Sequence, residues 1–337
     1  MTKPLPPTML WESTDPHVTL TQRFHFATAD AAQQWLVAAV ADTYGITVTS
    51  VDRLVMSSYN LIAWLTTSAG PLLAKCCAFA EAHQHLLKCG ELVHWLDQTG
   101  LPVSPPLVAT TGAVQNRCDH LSVSVQRVIS GELLEPTHAE QAHAAGVALA
   151  RLHQALASYP QAALFAPSVS VPSLSIAVAE RVTQEMAALT DAALVEGSKR
   201  LLKQIQRLET TLLSPQLVHG DYRAANVLWQ ADRIAAVLDF EEVRWGYQVN
   251  DLAWATVHLG TRYHDWGPVV RTVHQTFLRG YTTVTPLTAA EAAWLPLLLA
   301  WHTINLTNTA TGHPAQAVGM ETMTFYLDRA DDGGALS

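Results

Sequence analysis

Apolar positions in the first third of the chain change from a helical to an alternating spacing. Between Asp30 and Tyr44 they recur every three to four residues, which predicts an α-helix that ends at Gly45. Further on, β-branched and alternating segments are separated by short turns that contain Ser or Gly, and a helical stretch is embedded among them. The predicted strands are Ile46–Met56, Tyr59–Thr67, Pro71–Cys77, Leu107–Val114 and His120–Val128, and the embedded helix is Phe79–Gln98.

Helical spacing dominates the rest of the chain. Thr137 with Glu140 three residues later forms a capping-box pattern, which predicts a helix that runs to Ser158. Beyond Asn250 the chain is predicted to be helical except at 260–267 and 283–287. The other predicted helices are Ile176–Val195 and Lys199–Leu213, and the predicted strands are Val227–Trp229 and Ile234–Phe240.

These patterns predict an α+β protein with a small β-rich lobe followed by a larger helical lobe. Residues 1–28 show no clear period and are predicted to form an irregular arm. The β-rich lobe is assigned to 29–128 and the helical lobe to 129–337. Chemistry is expected where a loop interrupts the helical lobe.

Composition narrows the class of protein. Hydrophobic residues make up 49% of the 337 residues, enough to bury more than one core. The formal net charge of −9 argues against nucleic-acid binding, and it is compatible with a cationic or zwitterionic substrate. The cysteines form no C-x-x-C pair, so neither a zinc site nor a redox motif is indicated. With no signal peptide and no long apolar run, we expect a cytoplasmic protein that does not enter a membrane.

One segment carries the clearest chemical pattern. The run His219-Gly-Asp221-x-x-x-x-Asn226 lies between apolar flanks, and Asp239 follows the next apolar strand. Phosphoryl transfer needs a base near the attacking hydroxyl, oxygen ligands for Mg²⁺ and donors to the phosphates. Asp221 fits the base, and Asn226 and Asp239 fit the metal ligands.

This segment resembles the catalytic loop of the aminoglycoside phosphotransferase and choline kinase superfamily, relatives of the protein kinases. The resemblance implies a protein-kinase-like two-lobe fold, ATP and Mg²⁺ as cofactors, and a small-molecule hydroxyl as acceptor. Residues 29–128 become the nucleotide-binding lobe with a linker at its end. Asp221 becomes the catalytic aspartate and Asn226 and Asp239 the Mg²⁺ ligands, while His219 braces the loop.

The resemblance also assigns residues of the small lobe to the nucleotide. Lys75 stands alone in an apolar strand, where an unpaired charge is costly. It matches the lysine that contacts the α- and β-phosphates and pairs with a glutamate on the next helix. Glu91 is the favoured partner over Glu81, because an acid near a helix start can simply complement the helix dipole.

Two further segments of the small lobe are implied in nucleotide binding. Main-chain groups near Gln126 and Val128 match the linker that receives adenine. The nucleotide loop has no glycine, unlike that of protein kinases, and Ser57, Ser58 and Asn60 are the candidate phosphate donors. Backbone approach is less free without glycine, so the choice between ATP and GTP stays open.

Three residues of the large lobe support the same resemblance. Arg223 is a candidate catalytic residue that either stabilises charge on the transferring phosphoryl group or pairs with a nearby acid. His153 is predicted to be structural. Asp251 is predicted to cap a helix and to hold the catalytic loop.

The acceptor is less well defined by the sequence. Leu278-Arg279-Gly280-Tyr281 and the segment after Pro286 resemble type II homoserine kinases. Glu241 and Glu242 rank highest as acceptor contacts, since they follow the metal strand and can attract an ammonium group. The other candidate contacts are Arg244, Trp245, Tyr263, His264, Asp265 and His302.

Three functions are compatible with these residues. They are a kinase for an amino acid or amino alcohol such as homoserine, an antibiotic-modifying phosphotransferase, and a catalytically inactive relative that binds a nucleotide or a partner. The third predicts loss of Asp221, Asn226, Asp239 or Lys75, and all four are present. The sequence leaves the oligomeric state open.

Overall fold

The computed structural model describes residues 6–168, 171–208 and 213–332. The chain divides into two compact units, Met1–Ser130 and Gly131–Ser337. The boundary lies two residues beyond the predicted one. A sheet dominates the first unit and helices dominate the second, so the predicted α+β class is confirmed.

Alternation of apolar side chains builds a six-stranded sheet in the first unit, in the order β1-β2-β3-β4-β6-β5. Along β3, Leu61, Ala63 and Leu65 are buried in turn, as period-two spacing requires. All neighbours are antiparallel except β1, which runs parallel to β2 at the edge of the sheet and was not predicted as a strand. The strands are β1 (Thr8–Met9), β2 (Val48–Met56), β3 (Asn60–Thr67), β4 (Gly70–Cys77), β5 (Asn116–Cys118) and β6 (Leu121–Arg127).

The predicted irregular arm at 1–28 is wrong for the residues that the structure describes there, since α1 (Pro16–Phe24) is a helix. Asp15 caps it by accepting hydrogen bonds from two backbone N–H groups, and Pro16 occupies its first turn. Leu20 and Phe24 join the core under the sheet. Burial of these two side chains stabilises a helix too short to show a clear period. Residues 1–5 lie outside the described part.

Helix α2 (Ala29–Tyr44) packs into the same core, and α3 (His83–Gln98) follows a short 3₁₀ turn at Ala80–Ala82. The strand predicted over Leu107–Val114 is wrong. That segment is mostly loop and turn, and the edge strand of the sheet is β5 instead. Gly112 has a φ of +86° there, which a β-strand does not accommodate.

Amphipathic helices build the second unit. Its small strands form two antiparallel sheets, in the orders β10-β9-β7 and β11-β8. The helices are α4 (Ala139–Ser158), α5 (Leu174–Met186), α6 (Ala192–Arg207), α7 (Gln248–His258), α8 (Arg271–Thr282), α9 (Ala289–Thr309) and α10 (Ala315–Asp331). The strands are β7 (Glu132–Leu133), β8 (Gln216–Val218), β9 (Val227–Gln230), β10 (Arg233–Val237) and β11 (Arg244–Gly246).

Several predicted helix ends in this unit are wrong. The capping box at Thr137 does not form, because the Thr137 hydroxyl donates to Glu135 and α4 begins after His138. The break between α5 and α6 lies at 187–191, where Asp191 caps α6. The predicted extension of a helix from Arg207 to Leu213 runs into residues 209–212, which lie outside the described residues.

Helices α4 and α8 cross at two glycines, and this crossing positions groups of the active site. A β-carbon built on Gly146 would lie 2.0 Å from the Phe277 carbonyl oxygen, and one on Gly280 would lie 2.0 Å from the His143 carbonyl oxygen. The two backbones can approach this closely only without side chains. The crossing brings Tyr281 of α8 against His153 of α4.

Within the described ranges, no helix combines the length and the apolar character needed to cross a bilayer.

Candidate active site

The segment His219–Asn226 connects two short strands of the second unit. It leaves β8, which pairs with β11, and enters β9, which pairs with β7 and β10. Tyr222 is fully buried and donates a hydrogen bond from its hydroxyl to the Ala145 carbonyl oxygen, at 2.9 Å. The segment is therefore held at both ends and in its middle.

Asp251 on α7 binds the backbone at the start of the segment. Its carboxylate accepts from the backbone N–H groups of His219 (3.1 Å) and Gly220 (2.9 Å) and from His153 Nε2 (2.9 Å). His153 Nδ1 in turn lies 2.8 Å from the Tyr281 hydroxyl. Burial by itself would raise the pKa of Asp251, but the hydrogen bond and charge of His153 outweigh it and hold that pKa below its ordinary value. The structure thus bears out the predicted tie between Asp251 and the loop.

His219 braces the segment from within, as predicted. Its Nδ1 accepts the backbone N–H of Asp221 at 3.2 Å, and its Nε2 lies 3.1 Å from the Leu238 carbonyl oxygen. A carbonyl oxygen can only accept, so the proton is on Nε2. Burial lowers the pKa of His219, which keeps the ring neutral in this arrangement.

Gly220 adopts a φ of +84°, a conformation that glycine reaches without strain. A β-carbon at this position would also lie 2.1 Å from Arg244 Nη1 and 2.5 Å from the Glu242 carbonyl oxygen. The glycine of the motif is therefore required by backbone shape and by the close approach of the β11 strand.

Three predicted site residues meet on the other side of the segment. Arg223 Nε lies 3.1 and 3.2 Å from the two carboxylate oxygens of Asp221. Asn226 Nδ2 donates to Asp221 Oδ2 at 2.7 Å and to the Asp221 carbonyl oxygen at 2.8 Å. Burial raises the pKa of Asp221 to about 6 against the opposing charge of Arg223, and the charge of Asp239 adds to the increase.

The donor set at this point fits a hard cation. Asn226 uses its amide nitrogen on Asp221, and its amide oxygen accepts no hydrogen bond from a residue in the described ranges. Asp239 is close enough for its charge to affect the pKa of Asp221, and it holds a left-handed backbone with a φ of +63°. Left-handed backbone in a non-glycine residue is uncommon and is concentrated at functional sites. Carboxylate and amide oxygens are ligands suited to Mg²⁺.

Of the two roles predicted for Arg223, the structure shows the pairing with a nearby acid. That acid is Asp221. The Arg223 side chain is buried, and its guanidinium carbon lies 5.0 Å from the centre of the Trp266 ring. Its Nη1 is buried without a hydrogen-bond partner among the described residues. No sequence pattern indicated Trp266, because its contact with Arg223 depends on how the loop after α7 folds.

In the first unit, the predicted phosphate donors lie in the turn between β2 and β3. The Ser57 hydroxyl oxygen accepts the backbone N–H groups of Tyr59 (3.3 Å) and Asn60 (3.1 Å). The Ser58 hydroxyl donates to Glu12, and Arg23 donates to the Ser57 carbonyl oxygen at 2.9 Å. The turn is therefore fixed partly by the helix that sequence patterns did not predict.

Lys75 is half-buried on β4, opposite Ile62 of β3 and Ser124 of β6. The predicted pairing of Lys75 with Glu91 is wrong. Glu91 is exposed and makes no ion pair with a residue that the structure describes, because the buried face of α3 lies on the opposite side, at Cys89, Leu92, Val93 and Leu96. Glu81, the alternative partner, is also exposed.

The predicted adenine linker lies at the end of β6. Gln126 pairs with Leu73 of β4, and Val128 N–H donates to the Pro71 carbonyl oxygen at 3.3 Å. The Val128 N–H is thus engaged within the sheet, and the assignment of main-chain groups near Gln126 and Val128 to the base stays a prediction.

Comparisons with known proteins show which family this chain resembles. The model of the phosphotransferase enzyme family (APH) matches residues 57–294, more than two thirds of the chain. A homoserine kinase from Methylobacillus glycogenes is 28% identical over 214 residues, which is 62% of this chain and 63% of that protein. The match thus spans somewhat less than two thirds of the length of that relative.

Solved structures show the same fold. Amicoumacin kinase hAmiN, in complex with AMP-PNP, Ca²⁺ and Ami, has a TM-score of 0.57 and 16% identity, with 90% of this chain and 94% of that chain covered. Macrolide 2'-phosphotransferase MphH from Brachybacterium faecium has a TM-score of 0.57 and 16% identity, with 86% and 97% covered. At this identity the likeness establishes the kinase-like fold alone. The family match shows that the chain belongs to the phosphotransferase enzyme family.

Proposed function

We propose that this protein transfers the γ-phosphoryl group of ATP to the hydroxyl of a small amino acid or amino alcohol such as homoserine. The observation that carries the proposal is the meeting of Asp221, Arg223 and Asn226 within hydrogen-bonding distance on one anchored segment. The relative named as a homoserine kinase supports an acceptor of this kind.

The proposed reaction is a direct in-line transfer without a phosphoenzyme. Asp221 orients the acceptor hydroxyl and takes its proton while that oxygen forms a bond to the γ-phosphorus. The bond from the γ-phosphorus to the bridging oxygen breaks, and ADP leaves. Arg223 keeps the Asp221 carboxylate in one orientation through its Nε contact.

Asn226 and Asp239 are the proposed ligands of Mg²⁺, which when bound neutralises charge on the phosphates. In the first unit, Lys75 and the turn that contains Ser57, Ser58 and Asn60 are the proposed nucleotide contacts. Gln126 stays a proposed linker contact for the base.

The test is an ATP-consumption screen with purified protein, run with and without Mg²⁺, against hydroxyl-bearing amino acids, amino alcohols and aminoglycosides. We expect Mg²⁺-dependent ADP formation with at least one amino acid or amino alcohol, and a phosphate ester of that acceptor by mass spectrometry. Turnover with aminoglycosides and with no other acceptor would contradict the proposed amino acid or amino alcohol and would make an aminoglycoside the acceptor. Binding of Mg-ATP without transfer to any acceptor would contradict the proposed function as a whole.

A further inference from the structure

A cavity of about 260 Å³ opens in the second unit beside the catalytic segment. Helices α5, α7 and α9 and strand β11 contribute its lining, which includes Arg244, Trp254 and Trp301. Its size is appropriate for a small metabolite.

The cavity reaches the catalytic segment through Gly220. Asp251 lines the cavity, and its Oδ1 accepts the Gly220 N–H at 2.9 Å. Arg244 also lines the cavity, and its Nη1 would be 2.1 Å from a β-carbon on Gly220. The residue after Gly220 is Asp221, so the cavity lies beside the backbone that leads into the proposed base.

The two carboxylates of the lining are already occupied. Glu185 accepts from Arg181 Nε at 2.6 Å and from the side-chain nitrogens of Trp301 and Asn305, both at 2.8 Å. Asp251 accepts from two backbone N–H groups and from His153. Each carboxylate therefore already accepts three hydrogen bonds from the protein, which leaves little capacity for a cationic ligand.

The two imidazoles of the lining carry no charge near neutral pH. Burial lowers the pKa of His258 to about 4 and the pKa of His302 well below its ordinary value. His258 Nδ1 lies 3.0 Å from the Trp254 carbonyl oxygen and must donate to it, which leaves Nε2 as an acceptor. These rings therefore provide neutral hydrogen-bonding groups beside indole faces.

Two arginines line the cavity: Arg181 is paired with Glu185, and the other is Arg244. Its Nη1 donates to the Glu242 carbonyl oxygen at 3.0 Å, and it forms no ion pair with a carboxylate of the described chain. Its charge contributes to the lowered pKa values of both Asp251 and His302, so its field extends into the cavity. The cavity therefore presents one guanidinium whose charge is not balanced by an acid in contact.

We infer that Arg244 binds a carboxylate of the phosphoryl acceptor in this cavity, so that the acceptor is a hydroxy acid or hydroxy amino acid. A guanidinium can hold a carboxylate through two parallel hydrogen bonds, which also fixes the orientation of the ligand. Indole faces and the His258 acceptor suit the ammonium group of an amino acid. A polycationic sugar meets carboxylates that already accept protein hydrogen bonds, and it meets the like charge of Arg244. This inference rests on the proposed function and selects among its acceptors.

Three probes with the same hydroxyl end separate the contributions: L-homoserine, 3-aminopropan-1-ol, which lacks the carboxylate, and 4-hydroxybutanoate, which lacks the ammonium. They are assayed with the wild type, with Arg244→Gln, and with Arg279→Gln as a matched control on an exposed arginine of α8 outside the cavity lining. We expect Arg244→Gln to lower kcat/KM for homoserine on the order of 10- to 100-fold, the effect of losing a charged hydrogen bond. The value for 3-aminopropan-1-ol should stay unchanged, and the Arg279→Gln protein should resemble the wild type with every probe.

An equal loss for homoserine and 3-aminopropan-1-ol in Arg244→Gln, or no loss for either, would overturn the carboxylate assignment while leaving phosphoryl transfer intact. If the wild type phosphorylates none of the probes, the proposed function fails, and tryptophan fluorescence during titration with homoserine and 4-hydroxybutanoate decides the inference separately. Binding that weakens in Arg244→Gln supports the inference, and absence of binding to the wild type contradicts it.

Discussion

The two sides of the segment His219–Asn226 differ in how completely their polar groups are hydrogen-bonded and in the direction of their pKa shifts. On the side of α7, every polar group of Asp251, His153 and Tyr281 that the structure describes is engaged, and the pKa of Asp251 is lowered. On the other side, Asp221 has a pKa raised to about 6, Arg223 has a buried nitrogen without a described partner, and Asp239 has a left-handed backbone.

The difference indicates separate roles for the buried carboxylate of Asp251 and the half-buried carboxylate of Asp221. A fully satisfied polar network makes the backbone rigid, whereas perturbed and incompletely paired groups concentrate where a ligand completes them. Asp251 fixes the position of the segment, and Asp221 remains the proposed base.

The largest expected effect tests the side of the segment that holds Asp221. Asp221→Asn keeps the shape of the side chain and removes the base, so turnover should fall on the order of 10²- to 10⁴-fold. Steady-state phosphoryl transfer measures this change, and the urea midpoint should stay near that of the wild type. Near-wild-type turnover would show that another group takes the proton and would end the assignment of Asp221 as the base.

The next effect tests the anchoring side. Asp251→Ala leaves two backbone N–H groups and His153 without their acceptor, so the free energy of unfolding should fall by about 3 kcal/mol or more. Urea unfolding measures the change. Asp251→Asn is the matched control, since its amide oxygen can still accept one of these bonds, and it should lose less. Equal stability of Asp251→Ala and the wild type would contradict the anchoring role.

The smallest expected effect concerns a buried polar group away from the segment and tests whether incomplete pairing there affects stability instead of activity. His274 is buried on α8, with Nδ1 2.8 Å from the Tyr326 hydroxyl and Nε2 without a described partner. Burial lowers its pKa to about 3. The unfolded chain binds a proton below its ordinary pKa and the folded chain does not, so stability is lost as the pH falls below that value.

For this one group, the free energy of unfolding should fall by about 2 kcal/mol between about pH 7.5 and about pH 5. Urea unfolding at both pH values, with His274→Gln as the comparison, isolates the contribution. The variant should lose that part of the pH dependence whatever its absolute stability. Parallel pH dependence in both proteins would show that His274 does not carry the titration.

Sequence patterns predicted β2, β3 and β4, and alternating burial along β3 and β4 leaves a period-two signal in those two strands. They missed α1 and the short strands β1, β5, β7, β8 and β11. Elements of this length depend on partners far along the chain, as β8 depends on β11, and local preference carries little information about them.

Some features of the candidate site could likewise be predicted from local spacing, and others depend on packing between distant elements. Motif spacing was enough to select Asp221, Arg223 and Asn226, because all three lie on one short segment. The Glu91 pairing could not be judged from spacing, since it depends on which face of α3 packs inward. Engagement of the Val128 N–H by Pro71 was equally unpredictable from spacing, because it depends on how the strands pair.

The sequence by itself determined the lobe order, the catalytic segment and the class of chemistry, because these depend on residue types at short, fixed spacings. Tertiary structure alone decided that Asp251, His153 and Tyr281 form one network, since these residues come from different helices. It also decided that Arg244 faces a cavity whose carboxylates are already occupied. Charge balance within a cavity depends on which groups fold against each other, and no local pattern in the chain records it.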